Sequence, residues 1–139
     1  MRLFPDIDYI FWVRDPRDSI LGAHLTDVLS RFGVPFAKAL TADGKDDVLM
    51  NRAISWKYQR DIVRATPLPK KCIHVRFEDF VLKQDETLAR LSEFLNMPLA
   101  KIAVRPDATG RWKLRSDVNF SLFDHLFKQE MAEQGYTNL

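Results

Sequence analysis

The chain has 139 residues, of which 46% are hydrophobic and 29% are charged, and its formal net charge at pH 7 is +2. This length suits one globular domain, so we predict a single domain over residues 1–139. The small net charge and the lack of a polybasic block argue against nucleic acid or a membrane as partners, and no apolar run reaches the roughly 20 residues of a membrane span. The lone Cys72 excludes an internal disulfide framework, and the N-terminal residues lack a secretory signal pattern, so we expect a cytoplasmic protein.

The first predicted element is a strand over 9–13, whose uninterrupted aromatic and β-branched residues suit a strand covered on both faces. The sequence Asp15-Pro16-Arg17-Asp18 then favours a helix start, because Asp caps helices and Pro fits the first helical turn. Apolar residues at helical spacing from Leu21 to Phe32 extend this helix up to Gly33 and Pro35. The chain is therefore predicted to open with a strand, a tight turn and a helix.

The remainder of the chain alternates in the same way. The predicted elements are helices over about 46–66, 85–96 and 120–134 and a strand over 72–77. Residues 34–45 and 105–117 are predicted as loops, because Gly, Pro and polar residues interrupt any apolar period there. Strands that alternate with helices indicate an α/β fold, with a short parallel sheet flanked by helices. Two strands make a marginal sheet by themselves, so we expect it to need further cover.

Arg14 follows the first strand directly. The carboxyl end of a parallel strand lies on the rim where α/β sheets bind ligands, and the planar fork of an Arg matches phosphate oxygens. The N-terminus of the helix that follows adds a favourable potential for an anion. The same residues also fit a capped helix start with a solvated ion pair, and this plain interpretation is favoured for the motif alone.

Three segments, residues 9–21, 73–95 and 105–113, together and in this order resemble the sulfotransferases that use 3′-phosphoadenosine 5′-phosphosulfate (PAPS). Residues 9–21 resemble the element in which a buried strand delivers an Arg to the 3′-phosphate of the nucleotide. Residues 73–95 are similar to the family's strand, its Tyr-Glu-Asp-Leu turn and its leucine-rich helix, and residues 105–113 resemble the loop that folds over the same phosphate. The resemblance covers only the C-terminal half of the family's three-layer, phosphate-loop-type fold. It implies PAPS or adenosine 3′,5′-bisphosphate as the ligand, without a metal.

The resemblance also implies which residues bind this nucleotide. They are Arg14, Ser19, Gly22, Phe77, Arg105, Gly110 and Trp112. Gly22 stands where the family has a serine that joins the Arg on the phosphate, and Phe77 replaces a tyrosine that helps to hold the adenine. After Arg105, the family's Lys and Gly are replaced by Pro106 and Asp107, so the attraction for an anion survives in weakened form. Trp112 either stacks on a base or anchors the loop against the core.

The family's sulfate-transfer groups are missing from the sequence. In the family, a phosphate loop of the Pro-Lys-Ser-Gly-Thr-Thr type and a catalytic His or Glu precede the first strand, and no such segment occurs here. We therefore assign no catalytic residue and expect no sulfuryl transfer by this chain alone. His24, His74 and His125 are too dispersed to predict a metal site. His74 could replace the base, but it lies inside a predicted strand, and Cys72 is expected to be a buried small side chain.

Two functions of different classes remain open at this point. The chain is either the nucleotide-recognising part of a truncated or split sulfotransferase, or a non-catalytic binding module that uses its sheet edge and uncovered apolar surface. The first function implies a nucleotide co-substrate and a hydroxyl or amine acceptor that the sequence does not specify. Self-association or a complementing chain is expected to complete the sheet. A phosphate loop encoded upstream of Met1 would favour the enzyme. Nucleic-acid binding is the weakest alternative, since only one short segment is cationic.

Overall fold

The computed structural model describes residues 7–23, 41–45 and 47–136. Its elements fall into two units that are each built from segments distant in the sequence. Unit 1 combines Met1–Asp15 with Thr66–Arg111, and unit 2 combines Pro16–Ala65 with Trp112–Leu139. A single domain over residues 1–139 stays a prediction. Within the described ranges, no helix is long and apolar enough to cross a membrane.

Unit 1 contains a parallel pair of strands, which confirms the predicted α/β class. Strand β1 (Tyr9–Val13) pairs with β2 (Cys72–Arg76) in a register that runs from Tyr9 opposite Cys72 to Val13 opposite Arg76. Helix α3 (Phe77–Leu82) follows β2 without a break, and α4 (Gln84–Leu95) comes next. Val13, Val75, Val81 and Leu91 are buried and form the apolar core of the unit. The strand ends at Val13 and Arg76 therefore lie side by side.

The ends of these elements follow from local chemistry. Helix α4 ends one residue before the predicted Asn96, which takes the left-handed conformation (φ 53°) that Asn tolerates better than most residues. Cys72 is half-buried rather than fully buried, because it stands at the open start of β2, opposite the half-buried Tyr9. The prediction that Cys72 is buried was therefore wrong, since part of the side chain is exposed.

Unit 2 is helical in the part that the structure describes. It contains α1 (Pro16–Ser19), α2 (Val48–Ala65) and α5 (Asp124–Gln134). Helix α2 begins at Val48, about two residues after the predicted start, and the Asp47 carboxylate accepts the main-chain N–H of Met50 at 3.0 Å, which is an N-cap contact. Its Trp56 ring meets the buried Phe127 ring of α5 edge-on, with the ring centroids 5.1 Å apart. The apolar face of α2 thus packs on α5.

The first helix begins at the predicted residue but is shorter in the described part of the chain. The main-chain N–H groups of Leu21 and Gly22 donate to carbonyls three residues back, at 3.3 Å and 3.4 Å, so the chain tightens into turns after Ser19. The predicted continuation over residues 24–32 lies outside the described residues. So does most of the predicted loop over 34–45. The predicted loop over 105–117 contains two short 3₁₀ helices, Pro106–Ala108 and Arg111–Leu114.

Candidate functional site

Arg14 follows β1 in unit 1 and is held by two other segments of that unit. Its guanidinium carbon lies 4.6 Å from the centroid of the Phe77 ring, at the start of α3. Its Nη2 donates a hydrogen bond to the main-chain carbonyl of Ala108. We call Arg14, Phe77 and Ala108 the Arg14 corner. An aromatic face attracts a guanidinium, so this contact helps to fix the position of the Arg14 side chain, whose planar fork matches phosphate oxygens.

The residue after Arg14 is fixed to α3 as well. The main-chain N–H of Asp15 donates to Oε1 of Glu78 at 2.9 Å, and the Asp15 side chain is buried. The last backbone pair of the two strands is Val13 with Arg76, so contacts between Arg14 and Phe77 and between Asp15 and Glu78 continue the same register with side chains. These two contacts therefore fix the path of the chain for two residues beyond the end of β1.

Arg105 is bound by the acid that follows it in the chain. Its Nη2 lies 2.7 Å from Oδ2 of Asp107 and its Nε lies 3.3 Å from Oδ1, so the two side chains form a fork. The hydrogen bond from Arg105 lowers the pKa of Asp107, and the same contact raises the pKa of Arg105. Both side chains are exposed. The charge predicted to attract a phosphate is thus balanced by its neighbour.

A second fork of the same spacing follows along the chain. Nε and Nη2 of Arg115 each lie 2.7 Å from a carboxylate oxygen of Asp117, and this pair is also exposed. The segment from Arg105 to Arg115 contains four cations, which are Arg105, Arg111, Lys113 and Arg115. Two of the four are therefore engaged by carboxylates two residues further on, which weakens the expected attraction for anions.

Trp112 is held from two sides within unit 2. Its main-chain N–H donates to Oδ1 of the buried Asp18 at 2.9 Å. The guanidinium carbon of the buried Arg17 lies 3.7 Å from the ring centroid, and the Phe120 ring meets the indole edge-on at 5.8 Å. One face of the indole is covered by Arg17. Of the two roles open for Trp112, these contacts favour the anchoring role.

The remaining predicted residues are spread over both units. Ser19 is the last residue of α1 in unit 2, and its carbonyl accepts the N–H of Gly22. Among the residues that the structure describes, the nearest neighbour of a Cβ placed on Gly22 would be the Ser19 carbonyl oxygen, at 3.8 Å, which is an ordinary contact. Gly110, in unit 1, has φ 68°, a value that favours glycine. The structure thus brings Arg14 and Phe77 into contact, and it places Arg105 and Gly110 in the same unit as these two.

Sequence reasoning missed several of the groups that hold these residues. Asp18 was predicted only as part of a helix start, and Glu78 only as part of the segment over 73–95, although each accepts a main-chain N–H from a distant segment. The Ala108 carbonyl carries no sequence signal at all. Glu78 had one available clue, since it follows Phe77 in a segment that already carried a family resemblance.

The three histidines of the sequence are too dispersed to predict a metal site. His74 is exposed on β2, and its ring stacks on Phe11 with the centroids 5.0 Å apart. His125 is exposed on α5, and His24 lies outside the described residues. In the residues that the structure covers, no three His, Cys, Asp or Glu side chains come together as a group that could hold a metal ion.

Comparison with models of known protein families shows to which family the chain belongs. A model of the sulfotransferase family matches residues 1–101. The chain belongs to the sulfotransferase family. The match includes β1, β2, α3 and α4, and therefore Arg14 and Phe77. Arg105, Gly110 and Trp112 lie beyond the part that matches the sulfotransferase model, so their assignment depends on the motif alone. No curated protein and no solved structure matches the chain.

Proposed function

We propose that this sulfotransferase-family chain recognises the 3′-phosphoadenosine end of PAPS through the Arg14 corner. One observation carries the proposal: the guanidinium that follows β1 lies over the Phe77 ring, inside the part that matches the family. A guanidinium can present two parallel N–H donors to one phosphate group, which is the strong, charge-assisted form of this contact. Arg14 would bind the 3′-phosphate.

The donor set fits this end of the nucleotide in part. Arg14 supplies a fork, and Gly110 supplies a backbone without a side chain in the loop that resembles the family's phosphate-covering loop. Arg105 would assist only after it leaves Asp107. Phe77 retains a ring but lacks the phenolic hydroxyl. We therefore expect recognition of the 3′-phosphate to depend on Arg14 first and on Arg105 second.

The sulfate end would be bound by other residues. PAPS supplies the activated sulfuryl group, and the 139 residues contain no phosphate loop to hold it. The proposed function is therefore transfer of a sulfuryl group to a hydroxyl or amine acceptor, when a phosphate loop and a base from outside this sequence complete the site. A nucleotide co-substrate is part of this proposal. Self-association and a cytoplasmic location stay predictions from the sequence.

Titration calorimetry tests the nucleotide site. We expect adenosine 3′,5′-bisphosphate to bind more tightly than adenosine 5′-monophosphate by about 10- to 100-fold, the effect of one or two hydrogen bonds to a charged group. Arg14→Ala should remove this preference. Arg14→Lys should restore only a small part of it, because an ammonium keeps the charge but lacks the planar fork.

The control is Lys101→Ala, which removes one cation from the same unit at an exposed pair with Asp85. It should leave the preference unchanged. Equal affinity of the wild-type chain for both nucleotides, or an Arg14→Ala variant that behaves as Lys101→Ala does, would contradict the proposal. Binding of neither nucleotide would favour the non-catalytic module instead.

A further inference from the structure

We infer that Glu78 is a positioning residue, which aims the Arg14 guanidinium by holding the main chain of Asp15. The expected effect on nucleotide binding rests on the proposed function. The contact between Glu78 and Asp15 lies within unit 1 and does not depend on that proposal. Oε1 of Glu78 accepts the Asp15 N–H at 2.9 Å, across 63 positions of sequence. The chain turns from β1 to α1 at this point.

The register of the sheet explains why a side chain is needed there. Backbone pairing of the strands ends at Val13 and Arg76, because β2 passes directly into α3 at Phe77. The main chain of α3 makes helical hydrogen bonds and no longer runs as a strand beside β1. A carboxylate from the first turn of α3 takes the place of the missing strand carbonyl. Without it, the bond that fixes the peptide after Arg14 would be lost.

The chemistry of Glu78 separates positioning from a simple charge effect. A carboxylate near a phosphate site repels the ligand. If Glu78 were only a nearby charge, its removal would therefore tighten nucleotide binding. Glu78→Gln removes the charge and keeps a carbonyl oxygen of the same reach. Glu78→Asp keeps the charge and shortens the side chain by one methylene. Positioning predicts that Gln preserves the function of Glu78 and that Asp preserves it only in part.

The experiment combines nucleotide affinity with two measurements on the ligand-free chain. Calorimetry gives the preference for adenosine 3′,5′-bisphosphate over the 5′-monophosphate, and NMR gives the exchange rate of the Asp15 amide proton and the order parameter of the Arg14 Nε–H. We expect Glu78→Ala to reduce the preference by roughly 3- to 10-fold, the value of one hydrogen bond. It should also speed Asp15 exchange and lower the Arg14 order parameter. Glu78→Gln should resemble the wild type in all three, with Glu78→Asp in between.

Asp79→Ala is the matched control. Asp79 carries the same charge one position further along the first turn of α3, where its main-chain carbonyl accepts the Lys83 N–H. It should leave all three measurements near their wild-type values. If Glu78→Ala does not fold, the comparison of Gln with Asp decides: Gln closer to the wild type supports positioning, and Asp closer to the wild type overturns it.

Two further results would overturn the inference that Glu78 positions Arg14. Tighter binding of both nucleotides by Gln and Ala alike would make Glu78 only a nearby charge, and unchanged Asp15 exchange in Glu78→Ala would also overturn the inference. A wild-type chain that does not prefer the bisphosphate would remove the proposed nucleotide site. The NMR results would then still decide whether Glu78 holds Arg14.

Discussion

The guanidinium of Arg105 is forked onto the carboxylate of Asp107, with Nη2 and Oδ2 2.7 Å apart. The partners are two positions apart in the chain, so the pair forms without any contribution from the rest of the fold. An incoming phosphate must compete with this internal carboxylate for the same two donors. Exposed pairs of this kind are weak, so the competition is modest.

Asp107→Asn should therefore tighten binding of adenosine 3′,5′-bisphosphate by about 2- to 5-fold, because it frees the Arg105 fork and removes a negative charge. Calorimetry at two salt concentrations measures the effect, which should shrink at high salt. The control is Asp117→Asn, which opens the similar fork on Arg115. An equal gain from both variants would show a general charge effect, and no gain from Asp107→Asn would exclude Arg105 from the site.

Gly22→Ser restores the hydroxyl that the family has at this position. Within the described part of the chain, the added Cβ has its nearest neighbour at 3.8 Å, an ordinary contact, so we expect the variant to fold with unchanged stability. The family resemblance implies that this hydroxyl binds the 3′-phosphate, and one added hydrogen bond should tighten bisphosphate binding by roughly 3- to 10-fold. Gly22→Ala adds the Cβ without the hydroxyl. A similar gain in Gly22→Ala would mean that the hydroxyl plays no part.

The 139-residue chain should not transfer sulfate by itself. Recognition of the 3′ end gives binding that is no stronger in the transition state than in the ground state, and such binding does not accelerate transfer. The assay uses labelled PAPS with phenols, alcohols, amines and sugars as acceptors. Turnover above background that disappears in Arg14→Ala would show that the chain supplies its own catalytic groups.

Much of the fold could be predicted because its signals are local. The apolar run of β1, the Asp47 cap of α2 and the left-handed Asn96 after α4 all lie within a few residues of the element that they define. The early end of α1 at Ser19 was missed, since the apolar spacing of the following residues continues as in a helix although the chain tightens there.

The site was less predictable, because its contacts join distant parts of the chain. Arg14 and Ala108 are 94 positions apart, and the bond uses a main-chain carbonyl that any residue could supply. Asp107 was recognised as an acid beside Arg105, but the sequence does not show that the two side chains form a fork. Sequence patterns therefore indicated candidate site residues, whereas the contacts that hold these residues came only from the structure.

Glu130 should be the most sensitive charged residue for the stability of unit 2. It is almost fully buried on α5, its Oε1 lies 2.8 Å from Nη2 of Arg60, and its Oε2 contacts Arg64. Glu130→Gln leaves two guanidinium groups near an uncharged side chain and should lower the free energy of unfolding by about 3 kcal/mol. Urea denaturation measures it. A loss as small as that from Glu133→Gln, whose exposed pair should be worth under about 1 kcal/mol, would contradict this assignment.

The pair of Glu133 with Arg64 should make a small part of the stability depend on pH. The hydrogen bond from Arg64, followed by that from Gln129, holds the pKa of Glu133 below its ordinary value of 4.5. A lowered carboxyl pKa stabilises the fold above the unfolded value, and this contribution is lost as the pH falls through the folded value. The difference in unfolding free energy between the wild type and Glu133→Gln should therefore be constant at neutral pH and shrink below about pH 4.5. A difference that grows on acidification would contradict this sign.

Because β1 pairs with a strand much further along the sequence, it is synthesised well before that partner. The two strands pair residues 63 positions apart, so β1 leaves the ribosome well before its partner exists. At ordinary elongation rates this interval is roughly 3–13 s. During that time, Phe11 and Trp12 are carried on a nascent chain with no β2 to pair with. We expect the first strand to be a binding site for chaperones while translation continues, and slower codons between the strands would prolong that exposure.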